Sequence, residues 1–329
     1  MSAKSLTPEF FDRKMSAEAS VIIPTYNRAH FVFAAIDSVI AQREVNFDLI
    51  VVDDGSTDDT WQGLERTATA VHAEHANRRS MRIVRTENRG VAAARNTGIA
   101  LASAPLVAFL DSDDVWGPDK LACQIEYMRT HPECVISQTD EGWLSNGGRV
   151  NPGLRHRKAA GDIFIDSLRT CLVTPSTVIL RTALFHEIGG FDEDFIAAED
   201  YDLWLRILAR HEIGFLAENH ATRRSGHPGQ LSMLPAIDRF RILALLKLLA
   251  AGDLNSVQRR AVREVLAEKC DIYAKGLARR GRGDFAAFIL EFAKNARDSW
   301  CDGGDGAREE CAHAAATMRT HITHHVSIS

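Results

Sequence analysis

The chain has 329 residues, with 39 Lys plus Arg against 44 Asp plus Glu, and therefore a formal charge of −5. Apolar residues make up 45% and charged residues 25%, the balance of a chain that buries its own core, which excludes global disorder, a collagen repeat and a disulfide mini-scaffold. The acidic excess argues against nucleic acid as a partner. No apolar run reaches the ~20 residues of a transmembrane segment. Cys123, Cys134, Cys171, Cys270, Cys301 and Cys311 are scattered without a CxxC pair, the pattern of free thiols in a reducing cytosol.

Residues 1–18 are read as a flexible N-terminal extension, within which a second Met-Ser-Ala begins at Met15. Ser20-Val-Ile-Ile-Pro24 is a short β-branched run closed by proline, as a buried parallel strand would be. Val32, Ala35, Ile36, Val39 and Ile40 then fall on one helical face. Asp48–Val52 predicts a second strand, Asp58–His72 a helix and Met81–Arg85 a third strand. Gly90 opens a helix through Leu101, and Pro105–Leu110 predicts a fourth strand. Strand alternating with helix predicts a parallel, right-handed α/β unit. Lys120–Met128 reads as a helix. Cys134–Gln138 and Val173–Leu180 read as strands, separated by a Gly-rich polar turn at Gly142–Gly153. Glu199–Arg210 predicts an amphipathic helix. Residues 233–298 form a helical C-terminal region broken at Gly252, Gly276 and Gly281–Gly283. Residues 299–329 read as a disordered tail carrying His313, His321, His324 and His325.

Open α/β sheets bind ligands at the carboxyl ends of their strands. The four predicted strands are followed by Pro24-Thr25-Tyr26-Asn27-Arg28, by Asp53-Asp54, by Asn88-Arg89-Gly90 and by Asp111-Ser112-Asp113-Asp114. One such Asp alone is commonly just a helix cap; polar residues after every strand on one edge point to a site. Asp111 and Asp113, one residue apart, suit a hard cation such as Mg²⁺ or Mn²⁺, or a metal plus a ribose hydroxyl. Arg28, Arg89 and Arg95 read either as counter-charges for phosphates or as surface arginines. Arg95 lies off the Val91/Ala94/Gly98/Leu101 stripe of its helix, beside the cleft or in solvent. Asp200, three and four residues before Leu203 and Trp204, continues the inward stripe of its helix and reads as a general base or as a first-turn acid.

Val21-Ile-Ile-Pro-Thr-Tyr-Asn-Arg28, Val51-Val-Asp-Asp-Gly-Ser-Thr-Asp58, Asn88-Arg-Gly-Val-Ala-Ala-Ala-Arg-Asn96, Phe109-Leu-Asp-Ser-Asp-Asp114 and Gly190-Phe-Asp-Glu with Glu199-Asp-Tyr-Asp-Leu-Trp204 together resemble the family-2 glycosyltransferases. The resemblance implies a GT-A catalytic domain over 19–232, with a Rossmann-like nucleotide-binding mixed sheet flanked by helices and followed by the helical extension. It implies an inverting enzyme that moves a sugar from a nucleoside-diphosphate sugar, UDP favoured, to an acceptor hydroxyl in cell-surface glycan or polysaccharide assembly. Pro24, Thr25, Tyr26, Arg28, Asp53, Asp54, Asn88, Arg95, Asp111, Ser112 and Glu199 would line the nucleotide-sugar site. Asp113 and His227 would hold Mn²⁺ or Mg²⁺, and Asp200 would be the catalytic base. As a bare residue, His227 is an ordinary loop histidine. The implied acceptors are a glycan, a lipid-linked sugar or a small molecule, and the implied location is the cytoplasm, with peripheral contact at the inner face of the membrane. The rival readings are a non-catalytic sugar-nucleotide-binding subunit and, disfavoured by the glycine-free loop Thr25–Arg28, a metal-dependent nucleotidyltransferase. The C-terminal helices, with Leu243, Leu245, Leu246, Leu248 and Leu249 beside Arg239, Arg241 and Lys247, read first as packed on the catalytic domain. A cleft cover, a dimer contact and a membrane-surface helix are the alternatives.

Overall fold

Strands β1 (Ala19–Thr25), β2 (Phe47–Asp53), β3 (Arg79–Arg85) and β4 (Leu106–Phe109) pair in parallel in the order β3-β2-β1-β4. The structure, a computed structural model, describes residues 16–75, 79–151, 153–227, 229–298, 300 and 304–326. The extension expected at the N-terminus falls, over residues 1–15, outside the described residues. Helices α1 (Val32–Ile40), α2 (Thr60–His75) and α3 (Val91–Leu101) connect these strands. Every residue of β1 and β2 is buried, because helices cover both faces of the sheet; this is why the strands read as unbroken apolar runs. Val21, Ile23, Leu49 and Val51 share one core with Val32, Ala35, Ile36 and Val39 of α1. Ile22 and Phe109 face the opposite way, toward Ile99 of α3. A Cβ at Gly98 would stand 2.5 Å from Ile22 Cγ2, so only glycine lets α3 lie this close to β1.

The sheet continues through antiparallel neighbours. β8 (Val178–Arg181) pairs antiparallel with β4 and with β6 (Ile136–Ser145). β9 (Gly214–Ser225) runs parallel to β6, and β5 (Val115–Trp116) closes the edge antiparallel to β9. β7 (Gly148–Val150) forms a hairpin with β6. The result is a mixed sheet with flanking helices α4 (Lys120–Thr130), α5 (Phe164–Arg169), α6 (Thr182–Ile188) and α7 (Glu199–Leu208).

Several sequence expectations are corrected. The turn expected at Gly142–Gly153 is largely strand: the reversal is confined to Asn146-Gly147, with φ of 50° and 80°, the Asn-Gly signature of a tight hairpin. Val173–Leu180 is not one strand, because Pro175 opens a 3-10 turn, Pro175–Thr177, before β8. β9 went unread because its sequence, Gly-Phe-Leu-Ala-Glu-Asn-His-Ala-Thr-Arg-Arg-Ser, is polar and half-exposed, without apolar alternation.

The helical region holds α8 (Asp238–Ala251), α9 (Ser256–Arg279), α10 (Gly283–Asp298) and α11 (Asp305–Val326). The expected tail is therefore helix over 305–326. Cys311, Ala314 and Met318 of α11 are buried in the same core as the leucines of α8. That core runs without a break from Phe109 and Trp204 to Leu246 and Leu266. Leu243, Leu245 and Leu246 are fully buried, each worth roughly 1.5–3 kcal/mol. The membrane-surface reading of α8 is thereby overturned. Its Lys247 is tied internally, 2.6 Å from Asp192 Oδ2 and 2.7 Å from Asp202 Oδ1. Among the described residues no helix is long and apolar enough to cross a membrane, and Cys123, Cys134, Cys171, Cys270 and Cys311 are free thiols.

Candidate functional site

The parallel register aligns the strand ends. Thr25 stands opposite Asp53, and Leu110 N–H donates to Ile22 O at 3.0 Å, so the residues after β1, β2 and β4 share one edge. Pro24 and Thr25 are buried, Tyr26 is exposed and Arg28 is half-buried. Arg28 Nη2 donates to Gly229 O at 2.6 Å. Asn27, at φ 52°, accepts from Thr57 N at 2.7 Å and so ties the β1 loop to the β2 loop. Asp53 is fully buried; its Oδ1 takes the Ser56 hydroxyl, and its Oδ2 lies 3.4 Å from Arg85 Nε without a hydrogen bond. Thr25 Oγ1, next door, is likewise buried and without a hydrogen bond. Two buried polar atoms without hydrogen bonds side by side are the kind of exception a ligand resolves.

Asp54 behaves differently. Its carboxylate accepts from Arg89 N at 3.0 Å and Gly90 N at 2.7 Å, so it pins the loop into α3 and is buried behind the edge. Asn88, in the same loop, is exposed.

Arg95 resolves the choice its helical position left open. It is 3% exposed; Nη2 reaches Asp111 Oδ1 at 2.6 Å and Nη1 reaches Glu199 Oε1. Its guanidinium carbon also lies 5.1 Å from the Phe191 ring centre. Burial works against the charge of Arg95, but Asp111 and Glu199 outweigh it and push the pKa up. Burial lifts the pKa of Glu199 while Arg95 draws it back. Neighbouring Asn96, which the sequence reading left without a role, holds both polar groups of Phe191: Phe191 N–H donates to Oδ1 at 3.0 Å and Nδ2 donates to Phe191 O at 2.9 Å. One turn of α3 thus joins the strand-end loops to the segment before α7.

That segment is bent. Ala198, at the N-terminus of α7, has φ 59°, a left-handed conformation that costs a non-glycine residue about 1 kcal/mol or more. The bend presents Glu199 and Asp200 to the edge. Asp200 is inward in part: α7 is covered on nearly all sides, Asp200 and Arg206 are its half-buried residues, and Cys171 Sγ lies 3.9 Å from Asp200 Oδ2. Burial and the charge of Asp111 raise the pKa of Asp200, while Arg95, the Tyr201 N–H and Arg223 lower it. Its Oδ1 accepts from Tyr201 N at 2.8 Å.

Asp113 Oδ2 lies 2.8 Å from His227 Nε2, with side chains 18% and 12% exposed. His227 is steadied by Phe31, ring centres 4.6 Å apart. Burial and then Asp111 raise the pKa of Asp113, and His227 lowers it. Asp114 and Arg224 had no role in the sequence reading. Asp114, 2% exposed, accepts from Ser176 Oγ at 2.6 Å and from Arg224 N at 2.9 Å, and Arg224 Nε donates to Asp113 O. They clamp the acidic loop to β9. Ser112 is buried in that loop. The repeated Asp of Asp111–Asp114 was the available signal for Asp114; Arg224 had none, since β9 was unread. Asp113 and His227 touch, with the charge of Asp111 nearby; the carboxylates are the donors that suit a hard divalent cation, and the imidazole is a borderline donor beside them. Among the described residues no cluster of three such side chains is close enough to enclose an ion.

A family model described as glycosyl transferase family 2 matches residues 20–188. The chain belongs to that family. This family-2 glycosyltransferase is 34% identical over 197 residues to an uncharacterized glycosyltransferase of Rickettsia felis, a match covering 60% of this chain and 31% of that protein. The chain thus spans about a third of that relative's length. It is 31% identical over 211 residues to Escherichia coli WfgD, covering 63% of this chain and 78% of the relative. WfgD is named a UDP-Glc:α-D-GlcNAc-diphosphoundecaprenol β-1,3-glucosyltransferase. Among solved structures, S. aureus TarS 1–349 in complex with UDP-GlcNAc superposes with a TM-score of 0.66 at 19% identity, covering 90% of this chain and 92% of that one. The mannosyltransferase PcManGT of Pyrobaculum calidifontis, in complex with GDP-Man and Mn²⁺, superposes with a TM-score of 0.54 at 19% identity, covering 93% and 88%. These likenesses show a GT-A fold.

Proposed function

We propose that this glycosyltransferase is an inverting enzyme. It transfers a sugar from a nucleoside-diphosphate sugar, with a uridine donor preferred, to an acceptor hydroxyl in the assembly of a cell-surface glycan. The observation that carries the reading is Arg95: buried, it ties Asp111 of the acidic loop to Glu199, the neighbour of Asp200. The groups assigned to donor and acceptor therefore stand on one edge.

Thr25 Oγ1 and Asp53 Oδ2, neither of them hydrogen-bonded, would meet the polar edge of a uracil-type base, with Tyr26 and Arg28 beside them. Asp111 is assigned to the ribose. Asp113 and His227 would hold Mn²⁺ or Mg²⁺, which when bound neutralises the diphosphate and makes it a better leaving group. Asp200 accepts the proton of the acceptor hydroxyl as the oxygen attacks the anomeric carbon in line; the bond to the diphosphate breaks, and configuration inverts in one displacement. The partial burial that raises the pKa of Asp200 makes it a stronger base than a solvated carboxylate. Support for a uridine donor and a lipid-linked acceptor comes from the name of WfgD, and such an acceptor would bring the enzyme to the inner membrane face.

The test is titration calorimetry of UDP and GDP with Mn²⁺, followed by assay of nucleoside-diphosphate release and of the product's anomeric configuration. Saturable UDP binding and an inverted product are expected. Binding of neither nucleotide, or a retained configuration, would refute the reading.

A further inference from the structure

β9 carries two consecutive arginines, and strand alternation turns them to opposite faces. Arg224 is consumed in clamping Asp113 and Asp114. Arg223 is not: half-buried, its guanidinium carbon lies 4.7 Å from the ring centre of Trp143, its register partner on β6. Among the described residues it has no other partner given by hydrogen bond or ion pair. Its charge nonetheless reaches Asp200 and lowers that carboxyl's pKa.

The surroundings are cationic. The Trp143 ring also meets His156, ring centres 5.1 Å apart, and Arg155 Nε lies 3.1 Å from His156 Nε2. Burial, then Arg155 and Arg223, hold His156 below its ordinary pKa, with Lys158 adding to them and only Glu141 opposing. Glu141 is turned elsewhere: its Oε1 takes Trp143 Nε1 at 3.1 Å and Thr174 Oγ1 at 3.1 Å and lies 3.7 Å from Lys158 Nζ, its Oε2 is buried without a hydrogen bond, and among the described residues no ion pair joins it to Arg223. Leu154, beside Arg155, is 88% exposed, and Val150 is 42% exposed.

We infer that Arg223, with Arg155 joined to it through the Trp143 and His156 rings, forms a subsite for a phosphoryl group borne by the acceptor sugar whose hydroxyl Asp200 activates. The inference rests on the proposed reading of Asp200 as the base. A guanidinium with its hydrogen-bond donors unspent is the natural partner of a phosphate oxygen pair. The exposed Leu154 and Val150 would meet an alkyl tail on that phosphate.

The enzyme, saturated with UDP and Mn²⁺, is titrated calorimetrically with N-acetylglucosamine 1-phosphate, with N-acetylglucosaminyl undecyl diphosphate and with the neutral methyl glycoside. Both phosphorylated probes should bind more tightly than the glycoside. Arg223→Gln should weaken them about tenfold or more, and Arg155→Gln about threefold, while UDP affinity is unchanged. Tighter binding of the undecyl probe assigns a lipid-linked acceptor; equal binding assigns a soluble sugar phosphate. The inference fails if neither phosphorylated probe outbinds the glycoside, if Arg223→Gln leaves their affinity unaltered, or if it weakens UDP, which would place Arg223 on the donor side. Failure of the wild-type enzyme to bind UDP at all is read before any probe is added and counts against the function itself.

Discussion

Arg95→Met removes the buried cation between Asp111 and Glu199 while keeping the shape of the side chain. Taking one partner from a buried ion pair costs about 3–5 kcal/mol. The Asp111 side chain is 30% exposed and recovers part of its hydration, so the lower end, about 3 kcal/mol, applies. With an unfolding entropy of about 2.1 cal/mol/K per residue, the 329 residues give about 0.7 kcal/mol/K, and the melting temperature should fall by about 4 °C. The loss should also depend on pH. Burial already raises the folded-state pKa of Glu199 above its unfolded value, so the folded protein binds this proton more tightly and stability is regained as pH falls through the folded pKa. Without Arg95 the rise is larger, so the gap between variant and wild type should narrow between pH 8 and pH 5. Adding Glu199→Gln should return about half of the loss. Scanning calorimetry of the three proteins at both pH values reads all three effects. A variant melting within 1 °C of wild type, or a gap indifferent to pH and to Glu199→Gln, would show that the bridge does not hold the site together.

Asp200→Asn should lower turnover by roughly 10²–10⁴-fold with UDP affinity intact by calorimetry; near-normal turnover would remove Asp200 as the base. Asp113→Ala and His227→Ala should each remove the Mn²⁺-dependent part of UDP affinity, and an unchanged Mn²⁺ response in both would end the metal assignment. Lys120 is fully buried with Nζ 2.5 Å from Gln124 Oε1, and burial holds its pKa well below the ordinary value. The unfolded chain therefore binds this proton more tightly, and stability rises with pH between the folded pKa and about 10.4. Lys120→Met should melt at or above wild type at pH 7, and its advantage should shrink toward pH 10. A variant that is less stable at pH 7 would mean that the ammonium is better accommodated than its burial implies.

Much of the strand-end edge was legible in one dimension. Buried parallel strands are apolar throughout, and their polar ends fall in register, so Thr25, Asp53 and Asp111 could be placed on one edge from local pattern alone. The acidic loop and the Glu199-Asp200 pair were legible for the same reason: each sits at the boundary of a regular element. Legibility failed where long-range pairing decides. β9 is a strand only because β6 lies beside it, so Arg223 and Arg224 had no readable position. The Asn146-Gly147 hairpin signal was present and went unused.

The sequence by itself determined the alternating α/β order, the strand-end chemistry and the family, since these depend on residues near one another along the chain and on spacing preserved between motifs. The tertiary structure alone decided that Arg95 bridges Asp111 and Glu199 rather than facing solvent, that Asp54 is a loop tie, that Asp113 meets His227 across 114 positions, and that 305–326 is helix. Each of these depends on which distant side chain lies opposite. That is set by the packing of α3, α7 and α8 around a common core and by the pairing of β9 with β6 and β5, and helical periodicity carries no information about the partner.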